Sequence, residues 1–227
     1  MNEPNFSAGA PAPAGGRVLI VTAVDAERDA VLRGLRGDSR FEVIAAGVGP
    51  ASAAAGTASA LAAGGYGLVI SVGIGGGFPG IAAVGSLVAA TEIVAADLGA
   101  ETPEGFRSVE ELGFGRSRIA ADGGRTLRLA EALAAAGLPA AAGPVLTVST
   151  ATGTAATAEA LAARVRGAAA EAMEGYGVAT AAAQHGLPVM ELRAVSNAVG
   201  PRDRAAWKIP EALKALEAAS TLFLEVL

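Results

Sequence analysis

The feature that most constrains this chain is an alternation that runs along nearly its whole length. Short runs rich in Val, Ile and Leu alternate with longer stretches of Ala, Leu and charged residues, and glycines mark many of the joins. "RVLIVTAV" (17–24) predicts a strand, and "DAERDAVLRGLRG" a helix ending at Gly37. "FEVIAAGVG" is a second strand, followed by the small-residue helix "ASAAAGTASALAAGG". "GLVISVGIGGGF" reads as a third strand running into a glycine loop, and "GSLVAATEIVAAD" as one long strand or a bent pair. Residues 98–115 carry Pro, Gly and mixed charge and read as a loop. Helix "GGRTLRLAEALAAAG", strand "GPVLTVST" and helix "TAATAEALAARV" follow. "GAAAEAME" is a short strand entering helix "GYGVATAAAQHG", and "LPVMELRAVS" is the last strand. "AAWKIPEALKALEAASTLFLEVL" closes the chain as a helix, with Pro210 tolerated only near its start. Such an order specifies an α/β sheet with helices on both faces, and functional residues beyond the carboxyl ends of the strands.

Bulk properties narrow the function. At 227 residues the chain can bury a sizeable core. A net charge of −5 provides no basic field for a polyanion, so nucleic-acid binding is not expected. With no cysteine there is no disulfide, Cys-ligated zinc or thiol nucleophile. The single histidine, His185, leaves too few ligands for a His-based metal site. Despite 52% hydrophobic residues, no run of the roughly 18 uncharged apolar residues of a membrane span appears. Residues 1–16, "MNEPNFSAGAPAPAGG", lack the basic start and apolar run of a signal peptide. They read as a flexible tail before a single domain over 17–227, and the expected location is the cytoplasm.

Several polar positions stand out. "GVGP" (47–50) reads as a tight turn, whereas the consecutive glycines of "GIGGG" (73–77), including Gly75 and Gly76, would let backbone N–H groups approach a ligand. Neither has the G-x-G-x-x-G spacing of a dinucleotide site after the first strand, and no Walker loop is present. In "EAMEGYG", Glu171 and Glu174 fit an acidic helix start, and a carboxylate fixed there also suits a sugar diol. Glu27, between Asp25 and Asp29, taken alone fits a solvated helix face better than a site. His185, before Gly186, reads as a helix end. Asn197, after an apolar strand, reads equally as a turn residue and as a ligand donor.

Taken in order from Arg17 to the C terminus, "TAVDAERDAV", "SVGIGGGF", "AAEAMEG" and "RAVSNAV" resemble the nucleoside phosphorylase and nucleosidase superfamily. The resemblance implies a three-layer α/β/α fold with a central mixed, twisted sheet flanked by helices. By position, Glu27 matches the family's water-activating glutamate, Met173 and Glu174 its ribose-binding pair, and Asn197 the residue facing the purine. Residues 150–153, with Thr150 and Thr152, fall where the purine-pocket loop lies. The resemblance further implies a homo-oligomer with a purine nucleoside and water as substrates, and no metal or organic cofactor. Two departures carry information. Adenine-specific nucleosidases have aspartate at the position of Asn197, and serine where this chain has Ile74.

An asparagine NH₂ offers two donors, which suit the adjacent N7 and O6 acceptors of a 6-oxopurine. Adenine presents an acceptor and a donor on that edge, so the carboxamide favours hypoxanthine or guanine as the leaving base. Family phosphorylases bind phosphate partly through an arginine just before the glycine loop, where this chain has Ser71 and Val72. Glu27 would repel phosphate but suits a base for water, so hydrolysis is the expected reaction. The extended "ELRAVSNAVGPRDRAAW" points, by resemblance, to release of hypoxanthine from futalosine on a menaquinone route. Trp207 would stack on that substrate's 5′ carboxyphenyl ring and Arg202 or Arg204 would pair with its carboxylate; a core tryptophan with solvated arginines fits the residues nearly as well. A 6-oxopurine phosphorylase, an adenine-releasing nucleosidase and a catalytically silent nucleoside-binding module are the rival readings.

Overall fold

The computed structural model describes residues 16–227, so the tail expected over 1–16 lies, through residue 15, outside the described residues. β1 (Arg17–Thr22) shows why the fold is layered. Successive side chains of a strand face opposite ways. Val18 and Ile20 pack with Val31 and Leu35 of α1 (Asp25–Leu35), Leu129 and Leu133 of α3 (Gly123–Ala135), and Leu216 and Phe223 of α6 (Ile209–Val226). Leu19 and Val21 pack with Ala53 and Leu61 of α2 (Pro50–Leu61) and Val178 and Ala182 of α5 (Gly175–Gln184). A third cluster joins Leu161 of α4 (Ala155–Arg164) to Val94, Leu146 and Val148. Helices thus cover both faces, as the alternation implied.

The sheet is mixed and its pairings close a ring. β3 (Tyr66–Gly77) runs parallel to β1, which runs parallel to β2 (Phe41–Ala45). β10 (Val189–Ala198) pairs in parallel with β3 and antiparallel with β4 (Leu87–Ala95). β4 continues in parallel to β8 (Ala140–Thr147) and β8 to β9 (Ala170–Ala172), which returns antiparallel to β3. Five strands therefore close on themselves, with β1 and β2 extending from β3.

Four expectations need correction. The "GIGGG" segment is strand, not loop: Gly73 to Gly77 pair along β10, and Gly76 and Gly77 also pair with β9. Residues 98–115 contain the hairpin β5 (Gly99–Thr102) and β6 (Gly105–Ser108), turned through "TPEG" with Gly105 at φ 118°. A further short strand, β7 (Arg118–Ala120), pairs with β4 where none was expected. These strands are only three or four residues long, too short for a period-2 pattern to register. The last strand continues through Asn197 to Ala198, and the closing helix begins at Ile209, after a 3₁₀ turn at Arg204–Ala206. Pro210 sits in the first turn of α6, as required.

Candidate active site

The polar residues gather where β1, β3 and β10 end. Glu27 lies in the first turn of α1 yet is only 3% exposed, while its neighbours Asp25 and Asp29 pair with Arg28 at the surface. The Glu27 side chain folds back under its own helix. Oε2 accepts from the backbone N–H of Ala23 at 2.9 Å and of Val24 at 3.4 Å, and Oε1 accepts from Ile74 N–H at 2.8 Å. Part of its role is therefore that of a helix-start acceptor, but its other oxygen is aimed across the sheet.

Glu174 caps the start of α5 and is likewise buried. Its Oε1 accepts from Gly49 N–H at 3.3 Å, so the "GVGP" turn does more than reverse the chain. Its Oε2 accepts from Met173 N–H at 3.3 Å and from Arg193 Nη1 at 3.2 Å. Arg193, on β10, is the group that sequence reasoning missed. It is 1% exposed and its fork is fully engaged: Nε donates to Glu191 Oε1 at 2.8 Å, Nη2 to Ser71 Oγ at 2.8 Å, and Nη1 to Glu174. The signal was present in "VMELRAVS", where Glu191 and Arg193 are two residues apart and so share one face of an otherwise apolar strand.

Electrostatics follow from this packing. Burial raises the Glu27 carboxyl above the ordinary carboxylate range; the Ile74 amide, the Arg193 charge and the Ala23 amide oppose the rise, and the Glu174 charge adds to it. Burial also disfavours charge on Arg193, but Glu191, Glu174 and Glu27 outweigh it and hold the guanidinium above its usual value. A guanidinium thus does sit beside Ser71, reached from β10 rather than from the glycine run. With three carboxylates around it, little of its charge is left to attract a phosphate.

Asn197 lies within β10 rather than in a turn, half-buried, with Gly76 as its β3 partner. Ser196 Oγ donates to Asn197 Oδ1 at 2.8 Å, which fixes the amide with its NH₂ away from Ser196. One N–H of that NH₂ reaches Ala198 O at 3.0 Å, and the other has no partner among the described residues. Gly75 and Gly76 pair with Val195 and Asn197 through backbone, so they line the site as bare strand. A Cβ on Gly75 would come 2.7 Å from Glu171 O.

The remaining expected residues form an outer group. Met173 is half-buried beside Glu174. Thr150 is exposed, and Thr152 is bound by Glu171 through both its backbone N–H (2.8 Å) and its hydroxyl. Arg202 and Arg204 are exposed; Arg202 N–H donates to Gly153 O at 3.1 Å, and its guanidinium lies over Trp207, 5.1 Å from the ring centroid. The polar segment after β10 is thereby pinned to the 150–153 loop. Trp207 is half-buried, not a core residue. His185 is the C-cap of α5, with no part in the cluster.

Residues 21–227 match the family model of the phosphorylase superfamily. The chain is 53% identical to futalosine hydrolase of Streptomyces coelicolor over 219 residues, covering 88% of this chain and 91% of that one. It is 49% identical to futalosine hydrolase of Acidothermus cellulolyticus, covering 88% and 87%. Among solved structures, S-adenosylhomocysteine nucleosidase of Streptococcus pyogenes superposes with a TM-score of 0.82 at 20% identity, over 94% of this chain and 98% of that one. That likeness concerns the fold alone.

Proposed function

The chain belongs to the phosphorylase superfamily and, within it, to the futalosine hydrolases, and from that membership we propose how its residues cleave the N-glycosidic bond. It is an N-glycosidic hydrolase that acts on futalosine, releasing hypoxanthine and dehypoxanthine futalosine. Residues 17–227 act as a single catalytic domain, placed on a menaquinone route.

One observation carries the assignment of roles: Glu174 binds and Glu27 faces a single buried guanidinium on β10, the strand that also carries Asn197 with its Oδ1 held by Ser196. Glu174, already held by Gly49, Met173 and Arg193, accepts the 2′ and 3′ hydroxyls of the ribose. The transition state of such a cleavage is oxocarbenium-like, so departure of the base leads and water follows. Glu27, its carboxyl raised by burial, takes the proton of that water, a role typically worth about 10²–10⁴-fold. Asn197 hydrogen-bonds the departing base through one N–H, its second N–H leaves Ala198 O to complete the N7 and O6 pair, and the base departs as an anion that takes its proton from solvent. Arg202 and Trp207 bind the 5′ carboxyphenyl group through the guanidinium and the indole face.

Assembly as a homo-oligomer belongs to the same proposal. Phe114 is 77% exposed and Val48, next to the Gly49 amide that binds Glu174, is 55% exposed, apolar surface that association would cover. A cytoplasmic location is proposed with it; no helix of the described residues is long and apolar enough to cross a membrane. Chromatography of the purine released from futalosine, inosine and methylthioadenosine, each with and without phosphate, tests the reading. Hypoxanthine from futalosine at a phosphate-independent rate supports it, and adenine release or a phosphate requirement contradicts it.

A further inference from the structure

Glu191 is a carboxylate with no reason to be buried on packing grounds. It is 1% exposed, on β10, in a strand whose neighbours Met190 and Leu192 are core residues. Its Oε1 accepts a single bond, from Arg193 Nε at 2.8 Å. Its Oε2 is the one buried side-chain N or O of the described residues without a hydrogen-bond partner. An unpartnered buried oxygen destabilises the folded chain, so a purely structural position would favour an apolar residue here.

The surroundings are nevertheless shaped to hold it. A Cβ on Gly175 would stand 2.3 Å from Glu191 Oε2 and 2.4 Å from Oε1, so the first residue of α5 lacks a side chain where this carboxylate lies. Gly175 directly follows Glu174, which grips the other end of the same guanidinium. Arg193 is thus held along its Nε edge by Glu191, with Nη2 on Ser71 and Nη1 left for Glu174. Because a guanidinium is planar, fixing Nε and Nη2 fixes where Nη1 points. The charged groups facing Arg193 are Glu191 from its own strand, Glu174 from the start of α5 and Glu27 from α1.

We propose that Glu191 is a positioning residue for the hydrolysis: it orients Arg193 and draws part of its positive charge away from Glu27, keeping Glu27 basic enough to take a proton from water. This rests on Glu27 being the base. Removing the charge of Glu191 would leave more of Arg193's field on Glu27, and a closer cation favours the ionised carboxylate. Glu27 would then titrate lower and be a weaker base.

The test is steady-state hydrolysis of futalosine across pH by the full chain, its Glu191→Gln and Glu191→Asp variants, and Glu27→Gln beside them. The carboxamide of Glu191→Gln keeps the size and still accepts from Nε. It should lower kcat on the order of tenfold with KM little changed, and move the acid limb of kcat/KM to lower pH. Glu191→Asp keeps the charge but shortens the reach to Nε, and should lower kcat and raise KM together as Nη1 loses its aim at Glu174. Wild-type kcat and an unmoved acid limb in Glu191→Gln would overturn the proposal; if that variant does not fold, wild-type kcat and KM in Glu191→Asp would do so. Glu27→Gln separates the two ideas. If it is inactive while Glu191→Gln behaves as wild type, only the positioning role fails. If Glu27→Gln turns over normally, the base assignment fails and the positioning role falls with it.

Discussion

Glu27 and Arg193 reach the same patch of β3 from opposite sides: a Cβ on Gly73 would stand 2.8 Å from Glu27 Oε1 and 2.6 Å from Arg193 Nη1. Side-chain-free strand at position 73 is what lets a carboxylate from α1 and a guanidinium from β10 share one buried space. The chemistry proposed for the site depends on that proximity.

Glu27→Gln should reduce kcat by at least about 10²-fold while leaving the fold intact. The same variant makes a stability prediction of definite sign. Burial raises the Glu27 carboxyl in the folded chain, so the stability from its neutral form is complete below the unfolded carboxylate range and is lost as pH rises through the raised value. Glutamine does not ionise. The Tm of the variant relative to the wild type should therefore rise between roughly pH 4 and neutrality, on top of a pH-independent loss from the acceptor that the carboxamide NH₂ no longer offers to a backbone N–H. Differential scanning calorimetry at several pH values, alongside kcat, checks both halves.

Glu174→Ala should cripple turnover of the ribonucleoside, because the diol loses its acceptor and Arg193 loses a partner. A 2′-deoxy substrate should already be poor with the unmodified enzyme. Equal kcat/KM for ribo and deoxy forms would reduce Glu174 to a helix-start residue.

Layers and chemistry were legible in the sequence to different depths. Val18 to Val21 announced the two-faced sheet because a period of two in a buried strand leaves apolar residues on both sides. Glu27, Glu174 and Asn197 were singled out by resemblance, not by pattern, since each reads alone as a helix face, a helix start or a turn. Arg193 was missed because two of its partners are distant in sequence, Ser71 by 122 residues and Glu174 by 19; the near pairing with Glu191, two residues away, was the signal passed over. The glycine run misled for a related reason. Consecutive glycines favour loops locally, and only the side chains crossing from β10 and α1 show why bare strand is required there.

Trp207→Ala and Arg202→Ala should each raise KM for futalosine severalfold while leaving KM for inosine, which lacks the 5′ aromatic acid, near its wild-type value. The stacked geometry of the two side chains motivates this expectation. Steady-state kinetics on both substrates decides it, and a parallel rise for inosine would place the pair in general support of the 150–153 loop.

Ser196→Ala frees the Asn197 amide to rotate, and Asn197→Asp replaces its NH₂ with an oxygen. Each should weaken 6-oxopurine turnover, the aspartate variant by about 2–4 kcal/mol of transition-state stabilisation. Retention of full selectivity in Ser196→Ala would show that the amide needs no such support.

The most direct measurement is kcat/KM of the unmodified and Asn197→Asp enzymes on futalosine and on its 6-amino counterpart, which share one 5′ group, in phosphate-free buffer. The unmodified enzyme should release hypoxanthine readily and adenine barely, and Asn197→Asp should lose most of the hypoxanthine reaction. Equal processing of the two nucleosides by the unmodified enzyme would contradict base selection at Asn197, and with it the assignment of hypoxanthine as the preferred leaving base.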